Sequence, residues 1–539
     1  MSTTANENDL AIRAVAPGAP PIMSVIDIGS SGIRMLVAEL RPDGSIRTLE
    51  ELDRPLALGR EAFRSGTLSA ASIQKAVNVL RQYRERMNAY GVTHVRAVAT
   101  HAVRAALNRD TFVDRVFLAT GIEVEVIEGS QETLLTFAAV QKALAAHPEY
   151  REGEALLFEL GGGSTEWALL RDGEVVGSVT HDLGTVRMRE AMRAAEGERR
   201  AKARLMQHNV REMMQVVKRS LPFQKLSLLL AVGSEARFAT RALGREAGKQ
   251  GSVAARDAAP GDMTVLSLKD VKKLADQIVS LAPDQIATTF SVPPNESESL
   301  APAFLTYMEV ARICQLDSIV VPHESMRDGL VLYMARSIRE GSTVLFPDQT
   351  IAAAVNLARK YQADEKHGLH VAALGRGIFQ ATRAQHQMGE REQLLLEVAS
   401  IVHDIGNYVA ARGHHRHSYY LLVNSEVFGL SRTDLEIVAN LARYHRREGP
   451  QSDHPAYASL QRAARLTVNR LAAILRVADA LDKSHMQRMQ QPRFSVGEQE
   501  LRIEVDPGED FALERLALES KGGLFEEVFG LKPAIVEGS

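Results

Sequence analysis

The sequence has only one cysteine, Cys314, in 539 residues. An intramolecular disulfide is therefore impossible, which is typical of proteins of the reducing cytosol, and we expect a cytoplasmic location. Long apolar runs are also missing, because no stretch approaches the roughly 18 consecutive apolar residues that cross a membrane. Residues 1–21 are polar and rich in proline and alanine. They lack the apolar centre of a secretion signal and are predicted to form a disordered tail.

Neither sign of charge is in large excess. The formal net charge is −3, so the chain as a whole does not attract polyanions, and we expect no nucleic-acid partner. Any phosphate binding must then come from local basic clusters. The segment 186–225 is one candidate, with 11 Lys and Arg against 4 Asp and Glu. The alternative for this segment is an ordinary solvated helix face.

A glycine-rich turn comes shortly after a predicted buried strand at residues 155–158, an apolar run that ends in Glu159. Successive backbone N–H groups in such a turn form a concave anion site, and hydroxyl groups add donors. The carboxylates of Glu159 and Glu166 would repel a bare phosphate, so they imply a bridging cation or a water to be activated. The alternative is a glycine-rich hairpin without a ligand. The turn consists of Gly161, Gly162, Gly163, Ser164 and Thr165.

The same pattern occurs earlier in the chain. An apolar run at residues 24–28 carries Asp27 and leads into Gly29, Ser30 and Ser31. This repetition predicts a duplicated α/β domain whose halves face each other across a cleft, where two loops can grip two phosphates of one chain. A third strand, residues 226–232, leads into another candidate phosphate loop at Gly233 and Ser234.

Charged residues near other predicted strand ends are less specific. Arg104 lies on a helix after the strand 92–100, and Arg187 follows a small-residue turn. Either arginine could contact phosphate or lie on the surface. Glu132 falls in the first turn of a predicted helix, where acidic residues are common because they suit the helix dipole. The pattern alone therefore does not make Glu132 catalytic.

The character of the chain changes after a predicted linker at 338–348. Residues 350–485 have helical periodicity and predict an all-α domain, whereas alternation from about residue 494 predicts a small α+β piece. Imidazole and carboxylate groups in the helical region could bind a divalent metal, or they could be unrelated surface groups. The candidate ligands are His370, His403, Asp404 and Asp479.

Several motifs together resemble the exopolyphosphatase / guanosine pentaphosphate phosphohydrolase family. They are DIGSSGIR, ATHAVRAALN, VIEGSQET, ELGGGSTEW, GTVRM and VPHESMRDGL, in order over residues 23–330. The resemblance implies an α/β fold of two ribonuclease-H-like domains of the actin, Hsp70 and sugar kinase type. An all-α HD-type domain and a small α+β domain would follow. We expect the four domains at 22–145, 146–337, 345–488 and 489–539.

The resemblance also implies roles for individual residues. Glu132 would be the catalytic base, and Glu166 would help to hold the attacking water or a metal ion. Asp27 and Glu159 would frame a site for Mg²⁺ or Mn²⁺, and the four helical-region candidates match the general HD metal pattern. The residues expected to contact phosphate are Ser30, Ser31, Arg34, Arg104, Gly161, Gly162, Gly163, Ser164, Thr165, Arg187, Gly233 and Ser234.

The function implied is processive hydrolysis of terminal phosphate from inorganic polyphosphate, by an activated water in the cleft of a homodimeric enzyme. Hydrolysis of guanosine pentaphosphate at the same cleft is an alternative, as is a separate phosphohydrolase in the HD-type domain. A polyphosphate or alarmone sensor without turnover, or an actin-like ATPase, is also conceivable. Glu159, Gln131, Leu134 and Ser31 depart from residues frequent in this family, which bears on substrate preference and rate.

Overall fold

The computed structural model describes residues 20–194, 199–246, 262–341, 344–446, 448–506 and 510–537. Most of the tail predicted at residues 1–21 lies outside this range. The chain divides into two compact units, a first unit of residues 1–173 and 179–341 and a second of residues 174–178 and 342–539. Within the described ranges, none of the helices combines the length and apolarity needed to cross a membrane.

The first sheet of the first unit has five strands in the order β3-β2-β1-β4-β5. Strands β1 to β3 form an antiparallel meander, and β4 and β5 continue parallel to β1. All of β1 after its first residue is buried, as expected for a central strand that is covered on both faces. The strands are β1 Ile22–Ile28, β2 Gly32–Leu40, β3 Ile46–Pro55, β4 His94–Ala99 and β5 Val124–Val126.

The second sheet repeats this plan with six strands in the order β10-β11-β9-β6-β7-β8. Strands β6 and β7 are antiparallel, β9 lies parallel to β6 on its other side, and β11 is parallel to β9. The duplicated α/β fold predicted from the repeated turns is therefore confirmed. The strands are β6 Glu154–Leu160, β7 Thr165–Arg171, β8 Glu174–His181, β9 Leu226–Val232, β10 Met263–Ser267 and β11 Ser318–Pro322.

Two helices of the first unit cross at very close range. A Cβ atom placed on Gly329 of α12 would lie 1.8 Å from the carbonyl oxygen of Leu135 in α5, so only glycine permits this crossing. The helices of the unit are α1 Leu58–Ser65, α2 Ala70–Tyr90, α3 His101–Arg104, α4 Arg109–Thr120, α5 Gly129–Ala146, α6 Thr185–Ala194, α7 Arg199–Ser220, α8 Ser234–Glu246, α9 Leu268–Ser280, α10 Pro283–Phe290, α11 Pro294–Cys314 and α12 Met326–Glu340, with a 3₁₀ turn at Pro148–Tyr150.

The second unit is helical up to a small terminal sheet, as the sequence predicts. Strands β12 Arg493–Val496 and β13 Glu500–Val505 form a hairpin, and β14 Lys532–Glu537 adds in parallel to β13. The helices are α13 Pro347–Lys360, α14 Glu365–Ala381, α15 Arg383–His386, α16 Glu390–Val402, α17 His414–Val423, α18 Arg432–Tyr444, α19 Pro455–Ala458, α20 Arg462–Ala480, α21 Ala512–Lys521 and α22 Gly523–Phe529, with a 3₁₀ turn at Ile405–Tyr408.

Candidate active site

The turns after β1 and β6 meet at a cavity of about 330 Å³ in the first unit. A Cβ atom at Gly162 would lie 2.8 Å from the Cβ of Ser30, and one at Gly163 would lie 2.3 Å from the imidazole of His101. These distances are far below van der Waals contact, so the approach of the turn after β6 to Ser30 and to α3 depends on glycine. The cavity is thus bounded by one turn from each half of the duplicated fold.

Most of the residues predicted to contact phosphate line this cavity. The turn after β9 joins the other two there, and its Gly233 has φ +128°, a backbone conformation that favours glycine. Ser234 is the first residue of α8, where unpaired backbone N–H groups favour anions. The predicted residues at the cavity wall are Ser30, Ser31, Arg34, Gly161, Gly162, Gly163, Ser164, Gly233 and Ser234.

Four carboxylates that the sequence analysis singled out face the same cavity: Asp27, Glu132, Glu159 and Glu166. Burial raises the pKa of Asp27 and of Glu132 and raises the pKa of Glu159 to about 7. Burial, reinforced by the charge of Glu132, holds the pKa of Glu166 well above its usual range. Like charges in a buried site destabilise one another, so this cavity favours a bound cation.

The cavity fits a hard divalent ion such as Mg²⁺, which takes one or two protein carboxylates together with substrate phosphates and water. In the ranges that the structure describes, every set of three ligand-type side chains whose donor atoms lie within 4.8 Å of one another is in the second unit. The cleft carboxylates are therefore too far apart to enclose an ion by themselves. An ion bound there would share its coordination shell with the substrate.

Glu132 is held in place by Arg104. The Nη1 atom of Arg104 lies 2.5 Å from Glu132 Oε1 and also donates to the carbonyl of Ile127, while its Nη2 lies 3.2 Å from His101 Nδ1. Arg104 does not line the cavity. The structure thus gives Arg104 a carboxylate partner, and its contact with phosphate stays a prediction.

Two other residues predicted to bind phosphate also contact neighbouring protein groups. Arg187 has its guanidinium 4.7 Å from the ring centre of Phe63 and its Nη2 3.0 Å from His101 Nε2. Thr165 is fully buried, and its hydroxyl donates to the carbonyl of Leu183 at 2.6 Å. Neither residue is among those that line the cavity.

Apart from Arg34, the arginines at the cavity wall were missed by the sequence analysis. Arg60 and Arg189 both contact the carboxylate of Glu298, at 3.2 and 2.5 Å. The position of Arg189 on α6, which begins at Thr185, could have indicated this role, because successive residues of a helix face different directions. The missed residues are Arg60, His101, Arg189, Glu235, Arg237, Glu298 and Arg327.

In the second unit, the structure brings together three of the four predicted metal ligands. His403 Nε2 lies 3.8 Å from Asp404 Oδ1 and 3.9 Å from Asp479 Oδ1. The fourth predicted ligand, His370, belongs to none of the convergent groups, and His367 takes its place. His367 precedes the buried Val371 and Leu374 by four and seven residues on α14, so the period of the apolar face distinguishes the two histidines.

These features define a phosphate-handling protein of the actin-like class, with two ribonuclease-H-like halves around a cleft of glycine turns, hydroxyls and buried carboxylates. The sequence pattern of the Ppx/GppA phosphatase family matches residues 36–338, and that of domain III of Ppx/GppA phosphatases matches residues 350–521. The chain belongs to the Ppx/GppA phosphatase family, whose members are phosphoanhydride hydrolases. The resemblance stated from the motifs is thereby confirmed.

Individual relatives are distant but extend over most of the chain. A guanosine-5'-triphosphate,3'-diphosphate pyrophosphatase of Vibrio parahaemolyticus is 24% identical over 85% of this chain and 87% of the relative. One of the same name from Vibrio vulnificus is 25% identical over 80% and 81%. A crystal structure of an exopolyphosphatase from Cytophaga hutchinsonii aligns with 60% of this chain and 100% of its own, with a TM-score of 0.54 and 21% identity. The likeness to this crystal structure supports the assignment of the fold.

Proposed function

We propose that the chain is an exopolyphosphatase, which hydrolyses the terminal phosphate of inorganic polyphosphate in the cleft of the first unit. The observation that carries this proposal is the composition of the cavity wall. The described wall includes glycine turns, hydroxyls, carboxylates and arginines, together with one imidazole and several apolar side chains, and it has no phenylalanine, tyrosine or tryptophan ring. A chain of phosphates needs N–H, hydroxyl and guanidinium donors, whereas a nucleobase commonly stacks on an aromatic ring.

The proposed mechanism follows from the placement of the side chains. The glycine turns and Ser30, Ser31, Ser164 and Ser234 bind the phosphate oxygens and hold the terminal phosphorus in line with an attacking water. Glu132 orients this water and accepts its proton, and Arg104 fixes the carboxylate for that task. A divalent ion beside Asp27 and Glu159, when bound, supplies charge neutralisation for the phosphate oxygens.

A second candidate substrate is guanosine pentaphosphate. The specific observation in its favour is the name of the two Vibrio relatives, which match 80–85% of this chain. Both substrates end in a chain of phosphoanhydrides, so the cleft chemistry is common to them. The difference would lie in whether a nucleoside is bound beyond the terminal phosphates. Cytoplasmic location and the homodimer remain predictions.

The test is the release of orthophosphate with Mg²⁺ or Mn²⁺ from long-chain polyphosphate and from guanosine pentaphosphate, measured side by side. We expect faster release from polyphosphate, and a decrease in kcat of about 100- to 10,000-fold for Glu132→Gln, the range typical of a lost general base. Glu123→Gln, an exposed glutamate before the same helix, is the control and should keep full activity. Release from the nucleotide alone would overturn the choice of substrate, and full activity of Glu132→Gln would overturn the assigned base.

A further inference from the structure

One carboxylate at the cavity wall contacts two arginines that come from different halves of the cleft. Oε2 of Glu298 lies 3.2 Å from Arg60 Nη2 and 2.5 Å from Arg189 Nη1. Arg60 belongs to α1, in the first half of the duplicated fold, whereas Arg189 and Glu298 belong to α6 and α11 of the second half. All three side chains line the cavity. We call these three residues the arginine–glutamate bridge.

The arginine–glutamate bridge lies beside two of the phosphate turns. The residue before Arg60, Gly59, donates its N–H to the carbonyl of Ser30 at 2.9 Å, so α1 begins against the turn after β1. The N–H of Thr185, the first residue of α6, donates to the carbonyl of Gly161 at 2.9 Å. The arginine of α6 follows Thr185 by four residues, which is about one helical turn. A phosphate chain held by the two turns therefore has both arginines beside it.

The bridge is separate from the four buried carboxylates of the cleft. Other arginines are the cations that lower the pKa values of those carboxylates most strongly, and neither arginine of the bridge is among them. These other arginines are Arg34, Arg104, Arg237 and Arg327. Because the interaction of two charges declines with distance, the bridge lies farther from the reacting water. A phosphate bound at the bridge is accordingly a different one from the phosphate that the water attacks.

The guanidinium groups of the bridge can bind phosphate in the same way as they bind Glu298. Within the described ranges, no other side chain pairs with Arg60, whose side chain is 46% exposed. Arg189 is more enclosed, and its Nε and Nη2 also donate to Glu190 Oε1 at 3.2 and 3.0 Å. Guanidinium groups bind carboxylate and phosphate oxygens with the same planar geometry. The carboxylate of Glu298 therefore lies where an oxygen of a phosphate chain could bind, and the two groups exclude one another.

We propose that Arg60 and Arg189 form a further phosphate subsite, which the carboxylate of Glu298 occupies in the free protein and leaves to a phosphate of the bound chain. The ligand is inorganic polyphosphate or the phosphate chain of a nucleotide, because both present the same oxygens. Glu298 then competes with the substrate and limits its affinity. This inference rests on the proposed function, since it concerns the binding of the same substrate in the same cleft.

The test is the Kd for long-chain polyphosphate and for guanosine pentaphosphate, measured by titration calorimetry with Mg²⁺ in full-length protein that carries Glu132→Gln to slow turnover. We expect Glu298→Gln to lower the Kd of a chain that reaches the bridge by about 10-fold, because a like charge that faces the phosphates is removed. Arg60→Gln and Arg189→Gln should each raise this Kd by about 10-fold, the effect of a lost hydrogen bond to a charged group. A bridge that only fastens α1 to α6 and α11 predicts the opposite sign for Glu298→Gln, a raised Kd. A change for one ligand alone identifies which chain reaches the bridge.

Two variants serve as matched controls. Arg64→Gln removes an exposed cation one turn further along α1, and Glu296→Gln removes a carboxylate from the same helix and the same wall as Glu298. Both should leave the Kd within about two-fold of its original value. Thermal unfolding establishes that each variant is folded.

The outcomes for the subsite and for the proposed hydrolase are distinguishable. A raised or unchanged Kd for both ligands in folded Glu298→Gln would overturn the subsite, as would an equal fall in Glu296→Gln. Failure of the protein with intact Glu132 to release phosphate would overturn the hydrolase but not the subsite, because the Kd is measured without turnover. If neither ligand binds, both proposals fail.

Discussion

The contact between Gly162 and Ser30 offers a direct test of the geometry of the cleft. Replacing Gly162 by alanine adds a Cβ atom 2.8 Å from Ser30 Cβ and 3.2 Å from Val186 Cγ2, whereas ordinary contacts begin at 3.4 Å. The two phosphate turns must then move apart by about 0.6–1.0 Å, and a misplacement of about 1 Å costs on the order of 100-fold in rate. We expect Gly162→Ala to lower kcat/KM for phosphate release by about 10- to 100-fold.

The steric cause can be separated from other effects with a second variant. Ser30→Gly removes the atom that the new Cβ would meet, at the cost of one hydroxyl donor. If the clash is responsible, Gly162→Ala together with Ser30→Gly should be no worse than Ser30→Gly alone. Initial rates over a range of polyphosphate concentrations give kcat and KM, and thermal unfolding shows whether each variant is folded. Activity of Gly162→Ala within two-fold of the wild type, or strictly multiplicative losses in the double variant, would refute this reasoning.

Two further predictions concern Arg104 and Cys314. Arg104→Gln should lower kcat with little change in KM, because Arg104 contacts Glu132 and does not line the cavity; a rise in KM at constant kcat would instead support the phosphate contact predicted from sequence. Burial raises the pKa of the Cys314 thiol to about 11, so the thiolate is scarce at pH 8 and alkylation of the folded protein should be slow. Its rate should rise with pH up to about 11, and a plateau near pH 9 would contradict the assigned environment.

The phosphate turns could be predicted because their signal is local. An apolar run that ends in glycine and hydroxyl residues predicts both the strand and the turn after it. Three such turns, after β1, β6 and β9, lie at one cavity in the structure. The duplication followed from two copies of the pattern, and the repeated strand order confirms it. The sequence therefore predicts a position at the cavity most reliably for residues that lie immediately after a predicted strand.

The partners of these residues could not be predicted, because they depend on tertiary contacts. Arg104 and Glu132 are 28 residues apart, and nothing local indicates that they form an ion pair. Apart from Arg34 on β2, the arginines at the cavity wall come from several helices, so no sequence spacing connects them. His367 and His370 occur in one short motif, so local sequence does not separate them. Only the phase of the apolar face of α14 distinguishes the buried position of His367.

The two halves of the cleft repeat the same backbone but not the same charge pairing. In the first half, Asp27 of β1 lies opposite Arg34 of β2 in the strand register, and their side chains approach to 3.7 Å. In the second half, the corresponding strands place Glu159 opposite Glu166. Opposite charges stabilise such a cross-strand pair, and like charges destabilise it. The first half therefore places a cation against its carboxylate, although Arg34 also pairs with Asp53 at 3.0 Å, whereas the second half requires a cation or a proton from elsewhere. We accordingly expect ion binding and water activation to depend more on Glu159 and Glu166 than on Asp27.

The test compares Asp27→Asn with Glu166→Gln in the phosphate-release assay over a range of Mg²⁺ concentrations. We expect the larger loss of activity in Glu166→Gln. An equal or larger loss of activity in Asp27→Asn would show that the asymmetry has no bearing on catalysis.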